Sequence, residues 1–219
     1  MRVAHLKLFA ATRSTKHQVG AWCYLVPFRS VMKTTFRFFR VAPLLLAVLL
    51  LAAFAAPKLK KTTISKNISI GVPEGFTALP DDGIAVKYPS PRKPLAVFSN
   101  ANGRVDFSVA QKPSTFNNRD YGLLLKIYKA SIQNMYSKVD FLTEDIRTIN
   151  KRDFVVLEFV STVSDNRRTS NLAPIRRYQM VQYAIEGDQL TVFTFVAPAD
   201  EQAQWQPTAQ AVMSSIVMK

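Results

Sequence analysis

Residues 41–56 read VAPLLLAVLLLAAFAA, sixteen positions without a charged or strongly polar side chain. Lys33, Arg37 and Arg40 precede the run, and Lys58, Lys60 and Lys61 follow it. As a helix it would span about 24 Å at 1.5 Å per residue, short of the roughly 30 Å hydrocarbon core of a bilayer. A basic flank, a short apolar run and small residues at Ala53 and Ala55 predict a secretory signal cleaved before Ala56. An uncleaved anchor is the alternative, and a buried core helix the third reading. No cysteine follows the run, so a lipidated-cysteine anchor is excluded. Met32-Lys33-Thr34-Thr35 has the form of a compact n-region start. Residues 1–31 are therefore expected to be an extension ahead of the true start or a long n-region, 32–55 the signal or anchor, 56–67 a linker and 68–219 the folded domain. The expected location is outside the cytoplasm, periplasmic or extracellular, with membrane contact only through residues 41–57 if they are retained.

Charge divides at the same place. The whole chain carries +14, which by itself would suggest a polyanion partner. Eleven of its 29 Lys and Arg lie in residues 1–61, where there is no Asp or Glu. The remaining 158 residues hold 18 basic and 15 acidic side chains, a net of +3. That balance gives a duplex binder no electrostatic footprint, and nucleic acid is not an expected partner. His5, His17 and Cys23 all precede the apolar run. The domain therefore cannot assemble a Ser-His-Asp or Cys-His catalytic group, a disulfide or a common zinc site. No cofactor is expected.

Within the domain, residues 67–73 alternate in the manner of a strand, and residues 73–76 and 79–83 have turn composition. Strands are expected at 95–99 and 104–111, joined through 100–103. A helix follows, capped by Asn117 or Asn118, with Tyr121, Leu124, Leu125, Tyr128, Ile132, Met135 and Tyr136 on one apolar stripe. Strands at 140–149, 154–163, 175–185 and 190–197 have hairpin spacing, with Glu186-Gly187-Asp188 as a strong turn signal. Val155, Leu157, Phe159 and Val163 share one face, opposite Glu158, and Phe193 and Phe195 share another. Residues 200–219 close the chain as a helix broken near Pro207. The expected fold class is α+β: one antiparallel sheet covered by helices in a single domain.

The VPEGF opening, the helix after a hairpin, the YQMVQYAIEGDQLTVFTF hairpin and the closing AQAVMSSIVMK segment together resemble the DcrB-like and PsbP-like group over roughly residues 68–219. That resemblance implies an α/β/α sandwich and a small exported or lipid-anchored protein that binds or assembles with others. It implies no catalytic signature. The chain departs from the lipoprotein members in lacking the lipidated cysteine.

Candidate sites are few. Asp81-Asp82 and Glu144-Asp145 are adjacent carboxylates, expected in turn or solvated roles, with a weak calcium site at Asp81 and Asp82 as the lesser alternative. Arg167, Arg168, Arg176 and Arg177 surround one polar loop and are the candidate binders of an anion or partner, since guanidinium forks suit carboxylate and phosphate. Against that, alternation sends Arg176 and Arg177 to opposite faces. Trp205 is either a packing residue at a helix end or an interface anchor. The expected function is that of a non-enzymatic accessory or binding protein of the cell envelope, whose partner is another envelope protein or a small anionic ligand. The alternatives are an enzyme built on Asp, Glu, Ser and Lys alone, and a membrane-surface protein using Lys58, Lys60 and Lys61.

Overall fold

Twelve-residue strands that are apolar on both faces dictate the architecture, because such strands must be covered twice. The computed structural model describes residues 57–116, 120–165 and 172–219. The expected signal segment, Asn117, Asn118, Arg167 and Arg168 lie outside the described residues.

In chain order the elements are β1 (Leu59–Thr63), β2 (Ile68–Pro73), β3 (Phe76–Ala78), α1 (Asp81–Lys87), β4 (Ala96–Asn100), β5 (Asp106–Pro113), α2 (Tyr121–Met135), β6 (Lys138–Ile149), β7 (Arg152–Val163), β8 (Ile175–Glu186) and β9 (Gln189–Pro198). A 3-10 turn (Ala199–Glu201), α3 (Gln202–Ser214) and β10 (Val217–Met218) complete it. Seven strands form one antiparallel sheet in the order β3-β4-β5-β9-β8-β7-β6, and β1-β2-β10 form a second, smaller one. The architecture is α+β and forms a single domain, as the alternation and the helix stripe require.

Each face of the large sheet has its own core. Phe154, Val156, Tyr178, Met180, Phe193 and Phe195 bury against α3 and the small sheet, through Ala209, Val212, Met213, Ile68 and Ile70. Val155, Leu157, Phe159, Val181, Tyr183 and Ile185 bury against α2, through Tyr121, Leu124 and Ile132. The parity read from 154–163 and 190–197 is thus that of the structure. Gly71 is required in β2, since a Cβ there would stand 2.9 Å from the Leu59 Cβ. Its N–H also donates to Ser215 Oγ at 2.8 Å, fastening the small sheet to the end of α3.

Several expectations are corrected. Residues 79–83 do not form an isolated turn: a helix starts at Asp81 after Pro80, with Asp81 and Asp82 in its first turn and Ile84 buried. Pro and Asp serve helix starts as well as turns, and burial of Ile84 decides between them. The stretch 56–67 contains β1, paired with β2 from Leu59↔Pro73 to Thr63↔Ser69. α3 runs through Pro207 unbroken. The ring removes the bond to the Ala203 carbonyl, but both residues are exposed, and water can meet that acceptor. Residues 217–218 are strand, pairing with Ser69 and Ile68. Met135, expected on the buried stripe, is 65% exposed because the helix ends there. Strand bounds shift by a residue or two, as at β5 and β6.

The β6–β7 turn holds Asn150 and Lys151 at φ 49° and 68°, a conformation natural to Asn but strained for Lys. Asn150 is anchored by Nδ2 donating to the Ile216 carbonyl at 2.7 Å. Lys151→Gly is therefore expected to stabilise the fold by about 0.5–1 kcal/mol in urea unfolding. A loss of stability would show that the Lys151 side chain contributes more than its backbone costs.

Candidate functional site

Seven buried polar residues stand out among the described cores, and four of them (Ser99, Asp106, Ser161 and Gln179) gather at one end of the large sheet. Strand register explains the grouping. Ser99, Asp106, Val196 and Gln179 lie opposite one another across β4, β5, β9 and β8. In the next row outward, Pro198, Arg177 and Ser161 do the same across β9, β8 and β7. Opposed residues project to one face, and Gln179 shares its parity with Val181 and Tyr183, which pack under α2. These rows border a cleft of about 400 Å³ lined by Lys87, Arg104, Asp106, Arg176, Arg177 and Asp200, with Ile175, Val196 and Pro198 as its main apolar wall.

Each cation in the lining has a different standing. Lys87, the last residue of α1, donates to Asp106 Oδ1 at 2.7 Å, the Gly103 carbonyl at 3.1 Å and Ser99 Oγ at 3.2 Å. Those three bonds use every proton of its ammonium. Arg104 pairs with Glu201 at 2.8 Å, and Glu201 is itself held by Trp205, whose Nε1–H donates to it at 2.9 Å. Arg176 and Arg177 are exposed and have no ion-pair partner among the described residues. Beside them, Gln179 Nε2 donates to Ser161 Oγ at 2.8 Å and to the Tyr136 hydroxyl at 3.0 Å.

Burial, and then the nearby Asp106 carboxylate, push the Tyr88 hydroxyl up to about 12, while Arg177 and a hydrogen bond with Ser108 act in the opposite direction. Tyr88 is therefore a neutral phenol in the field of the cleft. Burial likewise raises Tyr121, Tyr178 and Tyr183. An unfolded phenol ionises near 10, and these resist. Their contribution to stability is complete below pH 10 and is lost as pH climbs above it, for Tyr88 through about 12. Base titration should show tyrosinate absorbance and loss of near-ultraviolet dichroism rising together above pH 10. Phenols that all titrate normally in a protein still folded would contradict this.

The sequence candidates distribute as follows. Arg176 and Arg177 meet in the cleft even though alternation separates them. β8 outruns β9 here, its last pair with it being Arg177↔Pro198, so from Arg176 outward only the β7 edge is paired and both arginines reach the rim of the cleft. Trp205 is not in the cleft. It stands edge-on to Phe76 at 5.8 Å and tilted against Phe195 at 6.4 Å, the packing reading, and reaches the site only through Glu201. Asp81 pairs with Lys93, Asp82 takes the Gly83 N–H, Glu144 pairs with Lys129, and Asp145 with Arg147. Among the described residues no three His, Cys, Asp or Glu come together to hold a metal ion. Lys60 and Lys61 border different clefts on the small sheet, so the basic stretch is split between its faces. No helix of the described residues is long and apolar enough to cross a membrane.

Lys87, Tyr88, Ser99, Arg104 and Asp106 were not among the sequence candidates. The available signal was parity: Ser99, Asp106, Ser161 and Gln179 are polar at inward strand positions near the ends of their strands.

No family model matches the chain, and no curated protein matches it. Among solved structures it is similar to cyanobacterial PsbP (CyanoP) from Synechocystis sp. PCC 6803, at 16% identity over 76% of this chain and 95% of that one, with a TM-score of 0.49. It is also similar to the Ran-binding protein Mog1p of Saccharomyces cerevisiae, at 13% identity over 74% and 96%, with a TM-score of 0.47. A third is LpqN, involved in cell envelope biogenesis of Mycobacterium tuberculosis, at 11% identity over 74% and 91%, with a TM-score of 0.47.

Proposed function

We propose that this is an exported, non-enzymatic binding protein of the cell envelope whose cleft holds an anionic group of a partner protein or small ligand. The observation that carries this reading is the contrast inside the lining. Lys87 and Arg104 are committed to Asp106 and Glu201, whereas Arg176 and Arg177 keep their guanidinium donors for something else. Charge-assisted bonds to a carboxylate or phosphate are what two such forks offer. Export rests on the signal-like run at residues 41–56.

The test is a titration of the full-length protein, in neutral detergent, with inorganic phosphate and with acetate, followed by the arginine Nε–H resonances. Saturable shifts at Arg176 and Arg177 are expected. Followed on the Nε–H of Arg104, which lines the same cleft, Arg176→Gln with Arg177→Gln should weaken the response about tenfold or more, since charged hydrogen bonds contribute about 1.5–3 kcal/mol each. A response that never saturates, or one indifferent to the double substitution, would remove the proposal.

One observation favours a second reading, a serine enzyme without histidine: Ser99 Oγ lies 3.2 Å from Lys87 Nζ. A Ser-Lys pair requires a neutral amine to take the serine proton. Here the amine is the donor in all three of its bonds, and the Ser99 hydroxyl donates to Asp106 instead. Hydrolysis of ester or peptide substrates abolished by Ser99→Ala would establish the enzyme nonetheless.

A further inference from the structure

We infer that the outer end of the α2-covered face is a docking site for an extended acidic peptide segment of a partner protein, with a carboxylate on Arg177 and an apolar side chain two residues along covering Val163 and Ile175. This rests on the cleft being an anion site and adds the class of partner.

The sheet face runs past its cover. α2 ends at Met135, and Ser137 is bonded to the end of β7: its N–H donates to the Thr162 carbonyl at 3.0 Å, and its Oγ accepts the Ser164 N–H at 3.0 Å. Val155, Leu157 and Phe159, earlier on the same face, are buried by α2. Val163 has the same parity but lies beyond the helix and is 48% exposed. Its cross-strand neighbour is Ile175, 57% exposed, so the two form one uncovered apolar step. Arg177 follows two residues after Ile175 on the same face, and both line the cleft. Residues i and i+2 of a strand lie about 6.5 Å apart on one side.

A guanidinium and an apolar step at that spacing match an extended peptide, which repeats with the same period. A free phosphate would use the arginine and leave the step exposed. A planar bilayer surface fits a concave site poorly. Arginine is also among the residues in which interface energy concentrates.

The full-length protein in neutral detergent is titrated with three fluorescent, N-acetylated, amidated pentapeptides of equal charge: Glu-Ser-Leu-Ser-Glu, Glu-Leu-Ser-Ser-Glu and Glu-Ser-Ser-Ser-Glu. The first is expected to bind about tenfold more tightly than the other two, because only there do Leu and Glu share a side. Val163→Ser with Ile175→Ser should bring the ratio of the first peptide to the last close to one. Arg177→Gln should weaken all three. All three positions are exposed, and a thermal melt checks that the variants remain folded. Equal wild-type affinity for the three peptides overturns the docking inference and leaves the anion site standing. Failure of every peptide to bind, with saturable phosphate binding retained, likewise removes only the inference. Loss of both removes the site. Flotation with phosphatidylserine-containing but not neutral vesicles, dependent on Arg177 and with no peptide bound, would assign the face to a membrane surface and overturn the inference.

Discussion

Phe195→Ala is expected to lower the unfolding free energy by about 3–5 kcal/mol, the cost of emptying a fully packed aromatic site. Phe195 has no exposed surface and sits on β9, between β5 and β8 in the middle of the large sheet. Its ring meets Phe76 at 6.3 Å and Trp205 at 6.4 Å, so it joins an edge strand and α3 to the sheet at one point. Truncation removes the transfer energy of the ring and leaves a cavity walled by residues from three elements, which cannot all move inward. Phe195→Leu should lose much less. Urea unfolding of both variants measures the difference, and a cost below about 1 kcal/mol for the alanine variant would mean that the core relaxes far more freely than native packing allows.

Asp106→Ala should cost about 2–3 kcal/mol, with a consequence for binding as well. The Asp106 carboxylate is 12% exposed and accepts from Lys87 Nζ and Ser99 Oγ. Removing it leaves a buried hydroxyl and an ammonium without their acceptor. Lys87 is 32% exposed, so water recovers part of the loss, which holds the figure below that for a fully buried pair. Asp106→Asn keeps an acceptor in place and should cost less. In both variants Lys87 loses its counter-charge, and the cleft becomes more cationic. Phosphate affinity should therefore rise while stability falls. Stability and affinity falling together would show that Asp106 shapes the site rather than neutralising Lys87.

Much of the fold was readable because its strands are long. In residues 154–163 and 190–197 the alternation repeats often enough to assign both faces, and the α2 stripe covers four turns. Short elements escaped. α1 has seven residues and one buried side chain, too few for a period to emerge, and β10 has two. Residues 59–63, LKKTT, read as polar linker because β1 buries little of its own surface, packing mainly through Leu59. The site was half visible. Arg176 and Arg177 were identifiable as chemistry, but what distinguishes them from other exposed arginines is that Lys87 and Arg104 already have partners. Those partnerships join residues 12 to 97 positions apart, through Lys87–Ser99, Lys87–Asp106 and Arg104–Glu201. No local pattern encodes such contacts. Ser99, Asp106, Ser161 and Gln179 could have been flagged as polar residues at inward parity, but that they stand together follows only from the strand order.

Photo-crosslinking in the native cells tests most directly whether this end of the sheet is where the protein does its work. A photoreactive residue is placed at Ile175, beside the cleft, and in a separate strain at Lys66, near the opposite end, where Asn67 reaches Glu186. A discrete protein adduct should form from position 175, be absent from position 66 and disappear when Arg177→Gln is added. An adduct formed from position 66 alone, or one from position 175 that persists with Arg177→Gln, would contradict the assignment of the cleft.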